Sequence, residues 1–221
     1  AAVVELRRLV AGRHELAVAV DVAVDAGLHD ETIAGGRDAN ALRDRPAGRV
    51  DAAAASLGSG VVGVASDVTN TEDLDRLVGV IRDAGAGLDI VFTNAGSGEF
   101  ATLEDETPEH LIDTFNRNVG GTVFTVQKTL PLLNPGASIV LSGSTAATRG
   151  TPAFGAYAAA KAAIRSFGRT WATELGDRGF RVNTVVPGPI LTEGLTELVP
   201  DKDQRQVFFD GEVPRCQVVI P

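Results

Sequence analysis

The side chains best suited to proton chemistry are Tyr157 and Lys161, which stand in the alanine-rich run FGAYAAAKAA at residues 154–163. Tyr157 is the only tyrosine of the chain. Residues four apart are neighbours on a helix face, so the ammonium is expected to lower the pKa of the phenol from about 10. A phenol tuned in this way can give and accept protons near neutral pH. The alternative is a helix with an aromatic packed inward and a lysine in solvent.

The elements that must position this pair alternate along the chain from about residue 60 onward. Short Val- and Ile-rich runs predict buried strands at 60–68, 88–96, 137–144 and 180–188. The stretches between them predict helices. The first runs from Thr69 to Gly85, with Thr69 and Glu72 as a capping box. The second begins at Pro108 after an N-cap at Thr107 and continues, kinked or straight, through 119–133. The third is a long helix at 153–176.

This alternation predicts the fold class. Strands and helices at this spacing are typical of a doubly wound parallel sheet with helices on both faces, a three-layer Rossmann-like α/β/α fold. Ligands of such sheets bind beyond the carboxyl ends of the strands. That rule places Asp67, Asn94, Gly96 and Ser144 on one common rim. With no internal repeat or linker, residues 1–221 are expected to form a single domain.

Several short motifs occur in a fixed order along the chain. They are DV at 67–68, TNAG at 93–96, NVGG at 118–121, Ser144 with YAAAK at 157–161, and RVNTVVPG at 181–188. Together they resemble the short-chain dehydrogenase/reductase family over about residues 31 to 213. The resemblance implies an oxidoreductase that moves a hydride between a nicotinamide cofactor and a carbonyl or alcohol.

The resemblance also implies roles for individual residues. Tyr157 would give a proton to the carbonyl oxygen, and Lys161 would lower the pKa of Tyr157 and hold the nicotinamide ribose. Ser144 would hydrogen-bond the substrate oxygen, as expected for a donor to a developing oxyanion. Asn118 would hold a water that links Lys161 to a proton relay. The alternatives are that Ser144 only ends a strand and that Asn118 only satisfies backbone groups at a helix kink; nearby Ser142 is a weaker candidate.

A cofactor site is implied as well. By resemblance it comprises Asp67, Val68, Asn94, Ala95, Gly96, Tyr157, Lys161, Pro187, Gly188, Ile190 and Thr192. Asn94 has a structural alternative, since it can stabilise the centre of the sheet. Arg37, in the run ETIAGGRD at 31–38, stands where an arginine accommodates the 2′-phosphate of NADP. NADP is therefore favoured over NAD, although Asp38 follows directly and Arg37 alone can cap a turn.

The two ends of the chain, 1–30 and 214–221, depart from the family pattern. The family's first strand ends in Thr-Gly-x-x-x-Gly-x-Gly, whose glycines let the backbone approach a pyrophosphate. That loop is expected near residues 6 to 16, which contain only Gly12. The ending RCQVVIP leaves out the family's next helix and final strand. The alternative function is therefore a catalytically impaired, non-enzymatic homologue.

Composition limits the partners. The formal net charge of −9 argues against nucleic acid, and no apolar run is long enough for a membrane span. A single cysteine, Cys216, and a charged beginning predict a cytoplasmic protein. The three histidines are scattered, so no metal site is expected. The substrate is expected to be a small carbonyl or alcohol.

Two regions suggest further contacts. The helices around 108–133 and 153–176 predict a homo-dimer or homo-tetramer, with Phe167 and Trp171 sharing a face that either anchors the contact or packs on the sheet. The variable segment 189–213 suggests an apolar substrate or a lid that folds onto its own core. Its large apolar residues are Leu191, Leu195, Leu198, Phe208 and Phe209.

Overall fold

Six strands form one sheet in the computed structural model, which describes residues 2–8, 16–22, 62–191, 193–210 and 217–219. They are β1 (Ala2–Arg8), β2 (Leu16–Val22), β3 (Leu88–Thr93), β4 (Leu133–Ser142), β5 (Arg181–Val186) and β6 (Gln217–Val219), and they follow one another across the sheet in chain order. The strands β2 to β5 are parallel, as predicted, whereas β1 is antiparallel to β2 and β6 is antiparallel to β5.

The amino-terminal strands correct the expected position of the phosphate loop. Because β2 runs parallel to β3, with Val20 opposite Thr93, its carboxyl end lies at the same edge of the sheet as the ends of β3 and β4. The connection from Arg8 to Leu16 starts and ends at the opposite edge. The expected position of the phosphate loop, near residues 6 to 16, was therefore wrong. The segment that leaves β2 at the edge where β3 and β4 end begins after Val22.

The carboxyl-terminal end was expected to lack the family's next helix and final strand. In the structure it contributes a three-residue strand, β6, which is antiparallel to β5 with Val218 opposite Val185. The physical reason is simple: the β-branched pair Val218 and Val219 suits a strand, and β5 otherwise presents an unpaired row of backbone groups on that side.

One predicted strand is absent. Residues 62–67 form no ladder, although Val64 and Val68 enter the core as a strand would place them. Side chains of the following helix form hydrogen bonds with two backbone groups of this segment, which a neighbouring strand could otherwise pair with. Arg76 donates to the carbonyl of Ala65 (2.7 Å), and Asp73 accepts from the amide of Asp67 (2.7 Å). The other three predicted strands are confirmed, with β4 starting four residues earlier.

The helices begin and end close to the predicted positions. They are α1 (Thr71–Asp83), α2 (Pro108–Phe115), a π-helical turn at Asn116–Gly120, α3 (Gly121–Thr129), α4 (Gly155–Gly176), α5 (Glu193–Leu198) and α6 (Lys202–Asp210). Thr107 caps α2 and accepts from the amide of His110, as predicted. The capping box at Thr69 was wrong: Asn70 caps α1, and the hydroxyl of Thr69 donates to Asp67 instead.

Four helices pack together against β3, β4 and β5. The α3 helix contacts β3, α4 contacts β4 and β5, α1 contacts α3, and α2 contacts α4. Consecutive right-handed crossovers in one direction place their helices on one face. The second helix layer of the prediction depends on residues that include 23–61, outside the described residues. The interface buries two apolar clusters, one around Leu77, Ile81 and Val91 and one around Leu141 and Ile164.

Candidate active site

Tyr157 and Lys161 lie in the first two turns of α4, where the helix crosses the end of β4. The Nζ of Lys161 donates to the carbonyl oxygen of Ser142 at 3.0 Å. It also lies over the ring of Tyr157, 5.6 Å from the centroid. Lys161 is 4% exposed, so it is not a solvent lysine on an ordinary helix. A buried ammonium is rare and requires polar partners, so this place is the candidate active site.

The ionisation of Tyr157 differs from the sequence prediction. Burial raises the pKa of the phenol, and only a hydrogen bond with Ser144 opposes that rise. The structure does not bear out the predicted lowering of this pKa by Lys161. The reason is geometric, because the ammonium is bonded to Ser142 and lies over the ring face rather than at the phenol oxygen. Burial also lowers the pKa of Lys161 itself to about 8.

Ser144 follows β4 and is held in place by the neighbouring strand. The amide of Gly143 donates to Val185 at 2.8 Å, and the amide of Thr145 donates to Pro187 at 2.9 Å. Within that loop the Oγ of Ser144 accepts from the amide of Ala146 at 3.2 Å and bonds the phenol of Tyr157. Ser144 therefore does more than end a strand. Ser142 contributes its carbonyl to Lys161, which fits its place as the weaker catalytic candidate.

Asn118 lies in the π-helical turn between α2 and α3 and is fully buried. Such single-turn π-bulges are frequent at functional sites. Its Nδ2 donates to the carbonyls of Ser97 (2.8 Å) and Thr114 (2.9 Å). Its Oδ1 has no hydrogen-bond partner, although it is buried. The helix expected to run through this region, kinked or straight, is interrupted by the π-helical turn. This turn carries a buried polar atom that points to a bound group.

Two glycines bring the loop after β3 against these side chains. A Cβ at Gly96 would overlap the Oδ1 of Asn118 and lie 3.2 Å from the Nζ of Lys161. A Cβ at Gly98 would lie 2.8 Å from the ring of Tyr157 and 2.7 Å from that of Phe154. Gly96 was predicted as a site residue. Gly98 was missed, and the only signal for it is a second glycine two residues after the TNAG motif.

The other predicted cofactor residues are distributed as follows. The carboxylate of Asp67 accepts from the amide and hydroxyl of Thr69, at 2.8 and 2.7 Å, and Val68 is buried against Gly121. Ala95 is buried, Asn94 and Gly188 are half-buried, and Ile190 is exposed. Pro187 contributes its carbonyl to the serine loop. Arg37 and Thr192 lie outside the described residues.

The described residues offer no group of His, Cys, Asp and Glu side chains that could hold a metal ion. Over the same ranges, no helix is long and apolar enough to cross a bilayer.

The comparisons with known proteins agree with this geometry. The profile of the family described as Enoyl-(Acyl carrier protein) reductase matches residues 39–219. Oxidoreductase asL5 of Sarocladium schorii is 40% identical over 169 residues, which are 76% of this chain and 68% of that protein. This chain belongs to the short-chain dehydrogenase/reductase family. The resemblance drawn from the motifs is thus confirmed.

Other relatives and solved structures support the same family. Versicolorin reductase stcU of Emericella nidulans is 31% identical over 73% of this chain and 62% of its own length. A dehydrogenase/reductase from Sinorhizobium meliloti 1021 superposes with a TM-score of 0.68 at 26% identity, covering 74% of this chain and 66% of that one. A short chain dehydrogenase/reductase family protein gives a TM-score of 0.64 at 35% identity, covering 71% and 66%. These neighbours confirm the Rossmann-like α/β fold class.

The family is one of NAD(P)-dependent oxidoreductases, and the relatives named here are oxidoreductases and reductases. The chain spans 68% of the length of the Sarocladium relative and 62% of the Emericella one. The activity and substrate of the whole protein are therefore proposals.

Proposed function

We propose that this chain reduces the carbonyl of a small molecule with a hydride from NADPH, using Tyr157 as the proton donor. The observation that carries the proposal is the convergence of Ser144, Tyr157, Lys161 and Asn118 at the ends of β3 and β4. A buried ammonium, a phenol with a raised pKa and an unpartnered amide oxygen have no structural purpose together. Perturbed titratable groups gathered in this way are typical of active sites.

The residues present fit the nicotinamide half of the cofactor. Lys161, Tyr157, Asn94 and the Pro187–Gly188 turn would hold it, and the cofactor when bound supplies the hydride. The glycine at position 96 leaves room next to Lys161 that any Cβ would fill. The preference for NADP over NAD is proposed on Arg37 alone, by its place in the sequence.

The chain's own residues would act on the substrate oxygen. The hydroxyls of Ser144 and Tyr157 would donate hydrogen bonds to it as negative charge develops, the role of an oxyanion hole. The O–H bond of Tyr157 then breaks, and its proton passes to the new alkoxide. The raised pKa of Tyr157 keeps the phenol protonated at neutral pH, as a donor must be. Asn118 would hold a water through Oδ1, beside Lys161, to return the proton.

The substrate is proposed to be an apolar, aromatic carbonyl compound. The rings of Phe100, Phe154 and Tyr157 form a column, with centroids 4.9 and 4.5 Å apart. The outer ring, Phe100, is exposed, as are Ile190 and Leu191. An exposed aromatic ring in a column that ends at the proton donor favours a flat apolar ligand. Relatives named versicolorin reductase and hydroxynaphthalene reductase, the latter of Aspergillus fumigatus, agree with this choice.

We further propose that residues 1–221 form one Rossmann-like domain and that the chain pairs with a second copy. Leu111 and Ile112 on α2 and Phe124 on α3 are exposed large apolar residues, which suits a subunit contact. Phe167 and Trp171 touch each other, with centroids 5.1 Å apart, and Trp171 packs against the core cluster. That packing favours the sheet-facing alternative for Trp171. A cytoplasmic location remains a prediction from the sequence.

The second candidate function is the impaired homologue. It is favoured by one observation: residues 23–30, which follow β2 at the edge where β3 and β4 end, contain only one glycine. A fluorescence titration of NADPH separates the two candidates. Binding in the micromolar range supports the reductase, and no binding at millimolar NADPH supports the impaired homologue.

The decisive test of the reductase is Tyr157→Phe. Loss of the only phenol should lower carbonyl-dependent NADPH oxidation by about 10² to 10⁴-fold, the usual contribution of a general acid. An aromatic ketone such as a tetralone serves as substrate, circular dichroism checks the fold, and Lys161→Ala should be equally inactive. Lys128→Ala is the matched control, since Lys128 pairs only with Asp75 on the surface between α3 and α1. A Tyr157→Phe enzyme retaining a tenth of the rate contradicts the assignment.

A further inference from the structure

Ser97 is the only residue between the two glycines that touch the catalytic side chains. Gly96 lies against Asn118 and Lys161, and Gly98 lies against Tyr157 and Phe154. Glycine has more backbone freedom than any other residue, so a segment with glycine on both sides of one residue keeps its position only if that residue is held. The position of Ser97 therefore decides how closely the loop covers the catalytic group.

Two consecutive residues of the π-helical turn hold Ser97. Asn118 donates from Nδ2 to the carbonyl of Ser97 at 2.8 Å. Arg117 donates from Nη1 to the hydroxyl of Ser97 at 2.7 Å. The guanidinium also lies 3.9 Å from the carboxylate of Glu99, which is mostly exposed. An exposed pair at that distance contributes little, so the bond to Ser97 is the stronger of the two contacts of Arg117.

We infer that Arg117 is a positioning residue, which keeps the Gly96–Gly98 loop closed over Tyr157 and Lys161 through its hydrogen bond to Ser97. The inference rests on the proposed function. Asn118 alone leaves the side chain of Ser97 unheld, because the two N–H groups of its amide go to the backbone carbonyls of Ser97 and Thr114. A planar guanidinium is suited to the task, since it is permanently charged and its donors are fixed in direction. A lysine would keep the charge and lose the directed fork.

The sole tyrosine of the chain gives a readout that needs no turnover. The ultraviolet absorbance of the phenolate reports Tyr157 and no other residue. The pKa of Tyr157 is raised by burial. A loop that moves away lets water reach the phenol, so its titration midpoint should fall toward about 10. Hydrogen exchange of the peptide that spans residues 94–101 reports the loop itself.

The experiment compares Arg117→Lys, Ser97→Ala and the double variant with the parent chain. Arg117→Lys and Ser97→Ala should each speed exchange in residues 94–101, lower the titration midpoint of Tyr157, and reduce kcat about tenfold, the scale of one charge-assisted hydrogen bond. The double variant should lose no more than either single variant, because both remove the same contact. Ser97→Thr, which keeps the hydroxyl, should restore the parent behaviour. Arg169→Lys, on the exposed side of α4, is the matched control.

Each outcome decides the inference. Unchanged exchange and an unchanged Tyr157 midpoint in both single variants overturn it, as do independent losses that multiply in the double variant. If Arg117→Lys does not fold, Ser97→Ala against Ser97→Thr makes the same comparison. If the chain proves to bind no NADPH, the exchange and tyrosine measurements still report the contact between Arg117 and Ser97, so a failure of the proposed function is distinguished from a failure of this inference.

Discussion

The strands β4 and β5 differ from β1 and β2 in what surrounds their ends at the catalytic edge. Beyond β4 and β5, two backbone hydrogen bonds, Gly143 to Val185 and Thr145 to Pro187, fix the loop that carries Ser144. Lys161 adds a third bond, to Ser142. The proton-transfer half of the site is therefore held by contacts within the described chain. At β2, the same edge leads into residues 23–30, AVDAGLHD, which contain one glycine.

This difference separates two parts of a reductase that are usually discussed together. In the proposed function, the groups that move a proton to a carbonyl oxygen are side chains of the loop after β4, of α4 and of the π-helical turn. The groups that hold a pyrophosphate need close backbone N–H donors after the first parallel strand. The proton-transfer groups can thus be complete while the pyrophosphate site is weak. A chain of this kind would differ from a complete reductase mainly in its affinity for the cofactor.

A glycine graft should sharpen that comparison with the largest effect. Replacing residues 23–30 with an octet of the form Thr-Gly-x-x-x-Gly-x-Gly should tighten NADPH binding at least tenfold, because glycines let backbone amides approach the phosphates. The same octet at residues 8–15 should give no gain, since that connection begins and ends at the opposite edge. Fluorescence titration of NADPH into both chains measures the difference. Equal gains from the two grafts contradict the assignment of β2, and no gain from either places the phosphates elsewhere.

The catalytic half was predictable because its motifs are local. The spacing of Tyr157 and Lys161 requires only a helix, and Ser144 requires only a strand end, so the sequence pattern was enough to place them. The chemistry of the pair was less predictable. Whether the ammonium meets the phenol oxygen or the ring face depends on Ser142, which comes from another element and competes for the same proton donor.

The regions that the sequence predicted wrongly or did not predict at all depend on long-range partners. Residues 62–67 have the composition of a strand, but α1 side chains bond two of their backbone groups, the carbonyl of Ala65 and the amide of Asp67. The strands β1 and β2 pair with each other, and β2 also pairs with β3 more than sixty residues later. A pattern of alternating valine and alanine does not say which edge of a sheet it will join. Gly98 was missed for the same reason, since its contacts belong to α4.

A second prediction tests how closely the catalytic half is packed. The variant Gly98→Ala places a methyl group 2.7 to 2.8 Å from the rings of Phe154 and Tyr157, so those rings must shift. Such overpacking should cost about 1–3 kcal/mol of unfolding free energy, and turnover should fall about tenfold as Tyr157 moves. Gly79→Ala on α1 is the control, because nothing lies within 4 Å of the added methyl. Urea unfolding and the tetralone assay measure both. Unchanged turnover in Gly98→Ala would show that the loop lies further from Tyr157 than the 2.8 Å of the structure implies.

The smallest expected effect concerns the buried cation of the same half. Burial lowers the pKa of Lys161 to about 8, whereas in the unfolded chain it returns to about 10.4. Between these values the unfolded state holds a proton that the folded state has released. The contribution of Lys161 to the unfolding free energy therefore rises with pH from about 8 upward and is constant below. The raised pKa of Tyr157 acts in the opposite direction, but only above about pH 10.

Urea unfolding at pH 7.5 and 9.5 measures this contribution of Lys161 to the unfolding free energy. The parent chain should gain about 1–2 kcal/mol over this range relative to Lys161→Met, which has no proton to release. Lys128→Met is the matched control and should keep the parent slope, because Lys128 is a surface partner of Asp75. Parallel slopes in the parent and Lys161→Met would mean that Lys161 keeps an ordinary pKa. Its ammonium would then be stabilised by more than the single carbonyl of Ser142, and the cost of burying this group would already be offset before any cofactor arrives.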